Sequence, residues 1–162
     1  MADTRFEALR EILTEDLENV TVTEKGLSAS VDCRYGDITL RIDPDEEEQD
    51  ENTLALRVQV LLPTPVGAGN AFLVWCLTTN VEYWGVKIGI DETGMIAVHA
   101  DLEVVGAVAI QSLAAEIVDR SDSVIQLLDE DLVEYCLGHG LGTPQQQARW
   151  RERSPTAHAD ED

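Results

Sequence analysis

Nothing in this sequence approaches the roughly 18 consecutive apolar residues of a membrane-spanning helix. The first ten residues carry acids and arginines where a signal peptide would need an apolar stretch. Membrane insertion and export are therefore not expected. Cysteine is sparse. Cys33, Cys76 and Cys136 are odd in number, scattered and far from any CxxC spacing, which points to a reduced, cytoplasmic setting. The three histidines, His99, His139 and His158, sit in unrelated segments with no companion at metal-ligand or nucleophile spacing. No catalytic residue, metal ligand or cofactor is assigned, and a non-enzymatic protein is expected. Lysine is nearly absent, with only Lys25 and Lys87 beside nine arginines.

What the chain has in excess is negative charge. Its 32 acidic residues against 11 basic ones give a formal charge of -21. The resulting field repels nucleic-acid phosphate and anionic lipid headgroups and favours basic or amphipathic polypeptide partners. Solubility or life in high salt accounts for the acidity equally well, and the shortage of lysine fits that. A length of 162 residues suits one domain, which at this size buries about 70% of the surface of its unfolded chain.

Periodicity supplies the elements. Asp3 or Thr4 caps a first helix in which Phe6, Leu9, Ile12, Leu13 and Leu17 form one apolar stripe. A short strand over residues 20–23 and a Lys25-Gly26 turn precede a stretch that alternates from Leu27 to Tyr35. Taking Gly36-Asp37 as a two-residue turn pairs Tyr35 with Ile38, Cys33 with Leu40, Val31 with Ile42 and Asp32 with Arg41. Residues 43–52 are almost wholly acidic and read as a solvated loop, and residues 53–62 alternate as another strand.

Between Asn70 and Asn80, residues 71–77 are all apolar, and the flanking asparagines favour a buried helix over a buried strand. A hairpin follows on an Asp91-Glu92-Thr93-Gly94 turn. It sets Trp84 opposite Leu102, Val86 opposite Ala100, Ile88 opposite Val98 and Ile90 opposite Ile96. Its other face carries Tyr83, Gly85, Lys87 and Gly89, where the missing side chains leave a trough that another backbone can approach. Residues 108–135 form a long amphipathic helix with a candidate break at 121–123. The fold class is thus α+β: an N-terminal helix, an antiparallel sheet of about five strands interrupted by a short apolar helix, and a long C-terminal helix. Residues 1–135 make the domain, and 136–162, with their glycines, glutamines and acids, read as a flexible C-terminal tail.

Several motifs carry less chemistry than they first promise. Asp43, Asp45, Glu47 and Glu48 supply oxygen ligands, but without the glycine and spaced glutamate of a calcium loop. Gly138, Gly140 and Gly142 follow a helix and lack the lysine and serine of a phosphate loop. Arg149, Trp150, Arg151 and Arg153 form a basic patch. Folding back onto acidic surface, or disorder, ranks above nucleic-acid binding for it. His99 falls on the polar face of its strand, beside Lys87 and Asp101. The all-apolar helix must be covered on more than one side. The chain's own helices, a second copy through Phe72, Trp75 and Cys76, or a client segment would serve.

The segment FLVWCLTTN at 72–80, followed by VEYWGVKIGIDETGMIAVHADLEV at 81–104, resembles the type III secretion chaperone-like fold, including the YbjN family of proposed sensory transduction regulators. The likeness spans about residues 4–135. It implies a small acidic dimer that holds a client segment by apolar grooves and strand addition or, on the YbjN branch, a regulatory or peptide-binding domain. The long loop at 43–52, the extreme charge and the glycine-rich tail depart from the pattern. The expected function is chaperone-like or regulatory binding of an extended or amphipathic polypeptide segment. The contact surface expected is Tyr83, Gly85, Lys87 and Gly89 together with Phe6 and Leu9 of the first helix. The alternative is an acidic regulator that mimics nucleic acid through the 43–52 loop and binds a basic protein. A protein or peptide partner is expected, a homodimer is one arrangement, and neither nucleic acid nor membrane is.

Overall fold

The computed structural model describes residues 4–45, 53–82 and 85–153, the side chains of Val81 and Glu82 apart. In chain order the elements are α1 (Thr4–Leu13), β1 (Glu18–Val22), β2 (Leu27–Asp32), β3 (Asp37–Pro44), β4 (Thr53–Pro63), α2 (Asn70–Glu82), β5 (Val86–Ile90), β6 (Met95–Val105), α3 (Ile110–Gln126), α4 (Val133–His139) and α5 (Pro144–Glu152). A π-helical stretch, Leu127–Leu132, joins α3 to α4. Six strands form one antiparallel sheet in the order β1-β2-β3-β4-β6-β5. The short strand read over residues 20–23 is β1, an edge strand irregular between Glu18 and Thr21, where Asn19 takes a left-handed backbone (φ 51), and the sheet has six strands where about five were expected.

One face of the sheet is apolar, with Leu27, Ala29, Leu40, Ile42, Val58, Val60, Val98 and Ala100 all buried. The helices cover it: α3 lies over β4 and β6, α1 beside α3 and β1, and α2 against β5. The other face is open and polar. The α1 stripe of Phe6, Leu9 and Leu13 is buried in this core, and the β5/β6 hairpin has the pairing read from the sequence, Val86 opposite Ala100, Ile88 opposite Val98 and Ile90 opposite Ile96. The side chain of Asp91 closes its turn by accepting from the backbone N–H of Thr93 and of Met95. The pairing of Trp84 lies outside the described residues.

Three expectations need correction. In the β2/β3 hairpin, Ile42 faces Leu27, Leu40 faces Ala29 and Ile38 faces Val31, so β3 meets residues four positions earlier than the two-residue turn implied. An even shift leaves every apolar side chain on the same face, so alternation cannot detect it. Instead of pairing, Cys33, Arg34 and Tyr35 form a buried corner, in which the Cys33 N–H donates to the Gly36 carbonyl. Second, no break occurs at 121–123. Ser121 is buried within α3 and donates back to the Ile117 carbonyl at 2.8 Å, and the irregular turn comes later, at Leu127–Leu132.

Third, residues 136–153 are not a flexible tail. Gly140 ends α4 in a left-handed conformation, Thr143 caps α5 in a capping box with Gln146, and Pro144 occupies its first turn. Trp150 of α5 is completely buried, its ring 5.4 Å from that of Tyr35 and its Nε1–H donating to the Tyr35 carbonyl at 2.9 Å. The basic patch does fold back onto acidic surface. Arg149 and Arg153 both donate to Asp32, at 2.6 and 2.8 Å, and the guanidinium of Arg153 holds that carboxyl below the usual carboxylate range.

The polar centre of this corner is Asp129, in the π-helical turn. Its carboxylate accepts from the backbone N–H of Arg34 and of Tyr35, each at 3.1 Å. Arg34, itself buried, donates to the carbonyls of Trp150 (2.9 Å) and Asp129 (3.2 Å) and to the Glu134 carboxylate (2.5 Å). Removing the large ring leaves a cavity, whereas removing an exposed ion pair does not. Trp150→Ala is therefore expected to lower unfolding stability by about 3–5 kcal/mol and Arg149→Ala by less than about 1 kcal/mol, read from urea denaturation midpoints.

Candidate binding surfaces

Helix α2 turns its apolar side chains in every direction. Phe72, Cys76 and Thr79 face inward and are buried. Trp75 lies on the flank toward α4, where its ring stacks on Tyr135 at 4.6 Å, and Tyr135 stacks on His139 at 4.0 Å. Leu73, Val74 and Leu77 point away from the core and are 42%, 61% and 69% exposed. The expected dimer residues are thus misassigned in part: Phe72 and Cys76 belong to the core, and only Trp75 reaches the surface. The periodic pattern did not reveal which side faces inward, because a helix apolar all round has no polar side to mark the outside.

On the opposite flank α2 seals the edge of the sheet. The side-chain amide of Asn80 imitates a backbone. Its Nδ2 donates to the Ile88 carbonyl and its Oδ1 accepts from the Ile88 N–H, both at 2.7 Å. Lys87 Nζ donates to the Asn80 carbonyl at 3.1 Å. The outward-pointing backbone of Ile88, the place where an added strand would pair, is already satisfied. Sequence reading took Asn80 for a helix end alone, since nothing local shows that its side chain reaches a strand eight residues on.

Of the residues expected to form one contact surface, Gly85, Lys87 and Gly89 lie together at β5, and Phe6 and Leu9 lie apart from them. Tyr83 lies outside the described residues. Lys87 and Gly85 are exposed and Gly89 is partly so, and a side chain at Gly85 or Gly89 would meet no neighbouring atom. Gly85 holds a left-handed backbone (φ +83), so a larger residue there would strain the chain. Phe6 and Leu9 are buried under the sheet, beside β1 at the far edge from β5. The α1 contribution is therefore withdrawn, because core side chains present no surface to a partner.

The open sheet face carries a polar grid. Arg57 on β4 stands between Asp43 on β3 and Asp101 on β6, and in the next row Gln59 stands beside Arg41 and His99, with Lys87 beyond. Arg57 binds Asp101 through two hydrogen bonds, at 2.7 and 3.2 Å. Among the described residues His99 Nδ1 is buried without a hydrogen-bond partner, 3.5 Å from an Asp101 oxygen, and burial, followed by the charge of Arg57, lowers its pKa below the ordinary 6.5. A depression of about 520 Å³ opens beside this grid, lined among others by Lys25, Arg41, Asp43, Asp45 and Arg57. Of the acidic loop, Asp43 and Asp45 are the described members, and Glu47 and Glu48 lie outside the described residues.

Among the described residues no group of three or more His, Cys, Asp or Glu is placed to hold a metal ion, and no helix is long and apolar enough to cross a membrane. Burial pushes the thiols of Cys33 and Cys136 up to about 12 and that of Cys76 up to about 11, which leaves them as thiols rather than reactive thiolates at neutral pH.

A six-stranded antiparallel sheet with helices on one face, an apolar helix before the last hairpin and a long helix after it is a YbjN-like fold, as the sequence resemblance implied. The chain superposes on the crystal structure of YbjN from E. coli, provisionally described as a transcription regulator. The TM-score is 0.54 at 15% identity, over 86% of this chain and 95% of that one. At that identity the likeness is one of architecture. No protein-family model matches the sequence, and no curated protein matches it.

A histidine with a lowered folded-state pKa binds fewer protons than the unfolded chain, so its contribution is complete above pH 6.5 and is lost as pH falls from there through the folded value. Stability measured from pH 7.5 to 5 should therefore decline, and His99→Gln should flatten the part of the slope just below pH 6.5. Asn80→Ala should cost about 1–3 kcal/mol and speed hydrogen exchange at the Ile88 amide.

Proposed function

We propose that this domain is a regulatory, non-catalytic binding module that takes a basic, amphipathic helical segment of a partner protein along the outer side of α2. The observation that carries this reading is the joint exposure of Leu73, Val74 and Leu77 on a helix with no charged residue before Glu82, in a chain of charge -21. An exposed apolar strip of this kind is a common mark of an interaction site. Covering it is worth about 1.5–3 kcal/mol for each side chain fully withdrawn from water. The acidic field steers a cationic segment toward it, and the stacked Trp75, Tyr135 and His139 on the α4 flank offer ring surface to arginine.

Helical docking is preferred to an added strand because Asn80 occupies the β5 edge at Ile88. The hairpin positions Gly85, Lys87 and Gly89 remain in the proposal as neighbouring contact surface. The description of YbjN as a regulator supports a role in binding. Nucleic-acid mimicry by the acidic loop is disfavoured at its described start, where Asp43 pairs with Arg41 at 3.2 Å and Asp45 with Arg57 at 3.9 Å.

The test is fluorescence anisotropy with a panel of labelled basic amphipathic helical peptides. Val74→Glu and Leu77→Glu should each weaken the best binder by about tenfold or more while leaving Tm unchanged, and affinity should fall as salt is raised. Equal binding by wild type and both variants would remove α2 as the docking surface. Sedimentation of the free protein tells whether a second copy occupies the strip instead.

A further inference from the structure

The depression on the open sheet face is separate from α2, and its lining has two signs of charge in one place. Gly26 lies so close to β3 that a Cβ there would sit 2.1 Å from the Ile42 carbonyl oxygen. The turn carrying Lys25 is thereby pinned over the end of β3, on the rim where Arg41 and Asp43 stand. Only a residue without a side chain allows so close an approach. The Lys25 ammonium makes no ion pair among the described residues, and Arg41 is half-exposed with one carboxylate contact, to Asp43 at 3.2 Å. Arg57 is already occupied by Asp101 and Asp45.

Asp43 is 8% exposed. Its Oδ2 meets Arg41, while its Oδ1 is buried without a hydrogen-bond partner among the described residues. A buried carboxylate oxygen left this way has an unmet demand for a donor. Lys25 and Arg41, which line the same depression, have donors to spare for an anion.

We propose that this depression binds a small zwitterion of the α-amino acid class, its ammonium donating to Asp43 and its carboxylate accepting from Lys25 and Arg41. A simple anion meets the repulsion of Asp43 and Asp45, and a simple cation that of Lys25 and Arg41. A molecule with both charges a short distance apart satisfies each side. The volume of about 520 Å³ exceeds what an amino acid fills, so selectivity among side chains is left to Gln59 and the surrounding wall.

The experiment titrates the full chain with each common free amino acid, following backbone amide chemical shifts. The best binder is then compared with its N-acetyl and its carboxamide derivatives. At least one free amino acid should bind saturably, with shifts centred on residues 25, 41–45 and 57–59. Blocking either end should weaken it by about tenfold or more, as should Arg41→Gln and Asp43→Asn. Lys25→Gln, on an exposed turn, replaces Asp43→Asn if that variant does not fold. No saturable binding by any free amino acid, undiminished binding by the N-acetyl derivative, or wild-type affinity in the variants would each overturn the assignment.

Discussion

One carboxylate ties the two halves of this molecule together. Asp129 takes the N–H groups of Arg34 and Tyr35, so the corner between β2 and β3 is held by the π-helical turn after α3 as well as by its own Cys33–Gly36 bond. A buried carboxylate is tolerable only when its lone pairs are met; those two N–H groups serve Asp129, while the Arg34 guanidinium pairs with Glu134 and satisfies the carbonyls of Asp129 and Trp150. The widened turn at Leu127–Leu132 is where Asp129 stands, in keeping with the habit of π-helical turns to appear where a side chain has a special task. From this knot follow the β2/β3 register, the docking of α5 and the burial of Trp150.

Much of the fold was legible because it is written in short-range periodicity. The α1 stripe, the β4 alternation and the β5/β6 hairpin with its Asp91 to Gly94 turn all follow from spacing and turn chemistry, which act within a few residues. What escaped was long-range. The β2/β3 register depends on contacts some 95 residues away, and an even register shift leaves no trace in the hydrophobic pattern. The tail looked polar and glycine-rich, yet a single tryptophan and a capping box were enough to order it. The α2 residues were recognised as apolar, but their inward and outward sides depended on where β5 and α4 lie.

The two faces of the sheet divide the work. The covered face gives a rigid platform from which α2 displays Leu73, Val74 and Leu77, and the bare face keeps its charges in a grid of neutralising pairs. Since Arg57, Arg41 and Lys25 all lie on that bare face, part of the scarce positive charge is gathered there beside Asp43, Asp45 and Asp101. A net charge of -21 thus coexists with a locally balanced surface, and any ligand there meets specific partners rather than a uniform field.

The Asn80 clasp on Ile88 has a consequence for how copies of this protein meet. Unsatisfied strand edges recruit one another and extend without limit, which is the route to fibres. Here one border of the sheet is stoppered by an amide and the other is short and kinked at Asn19. Were two copies to associate, the contact would fall to the helices, where a two-fold arrangement closes on itself as a finite pair.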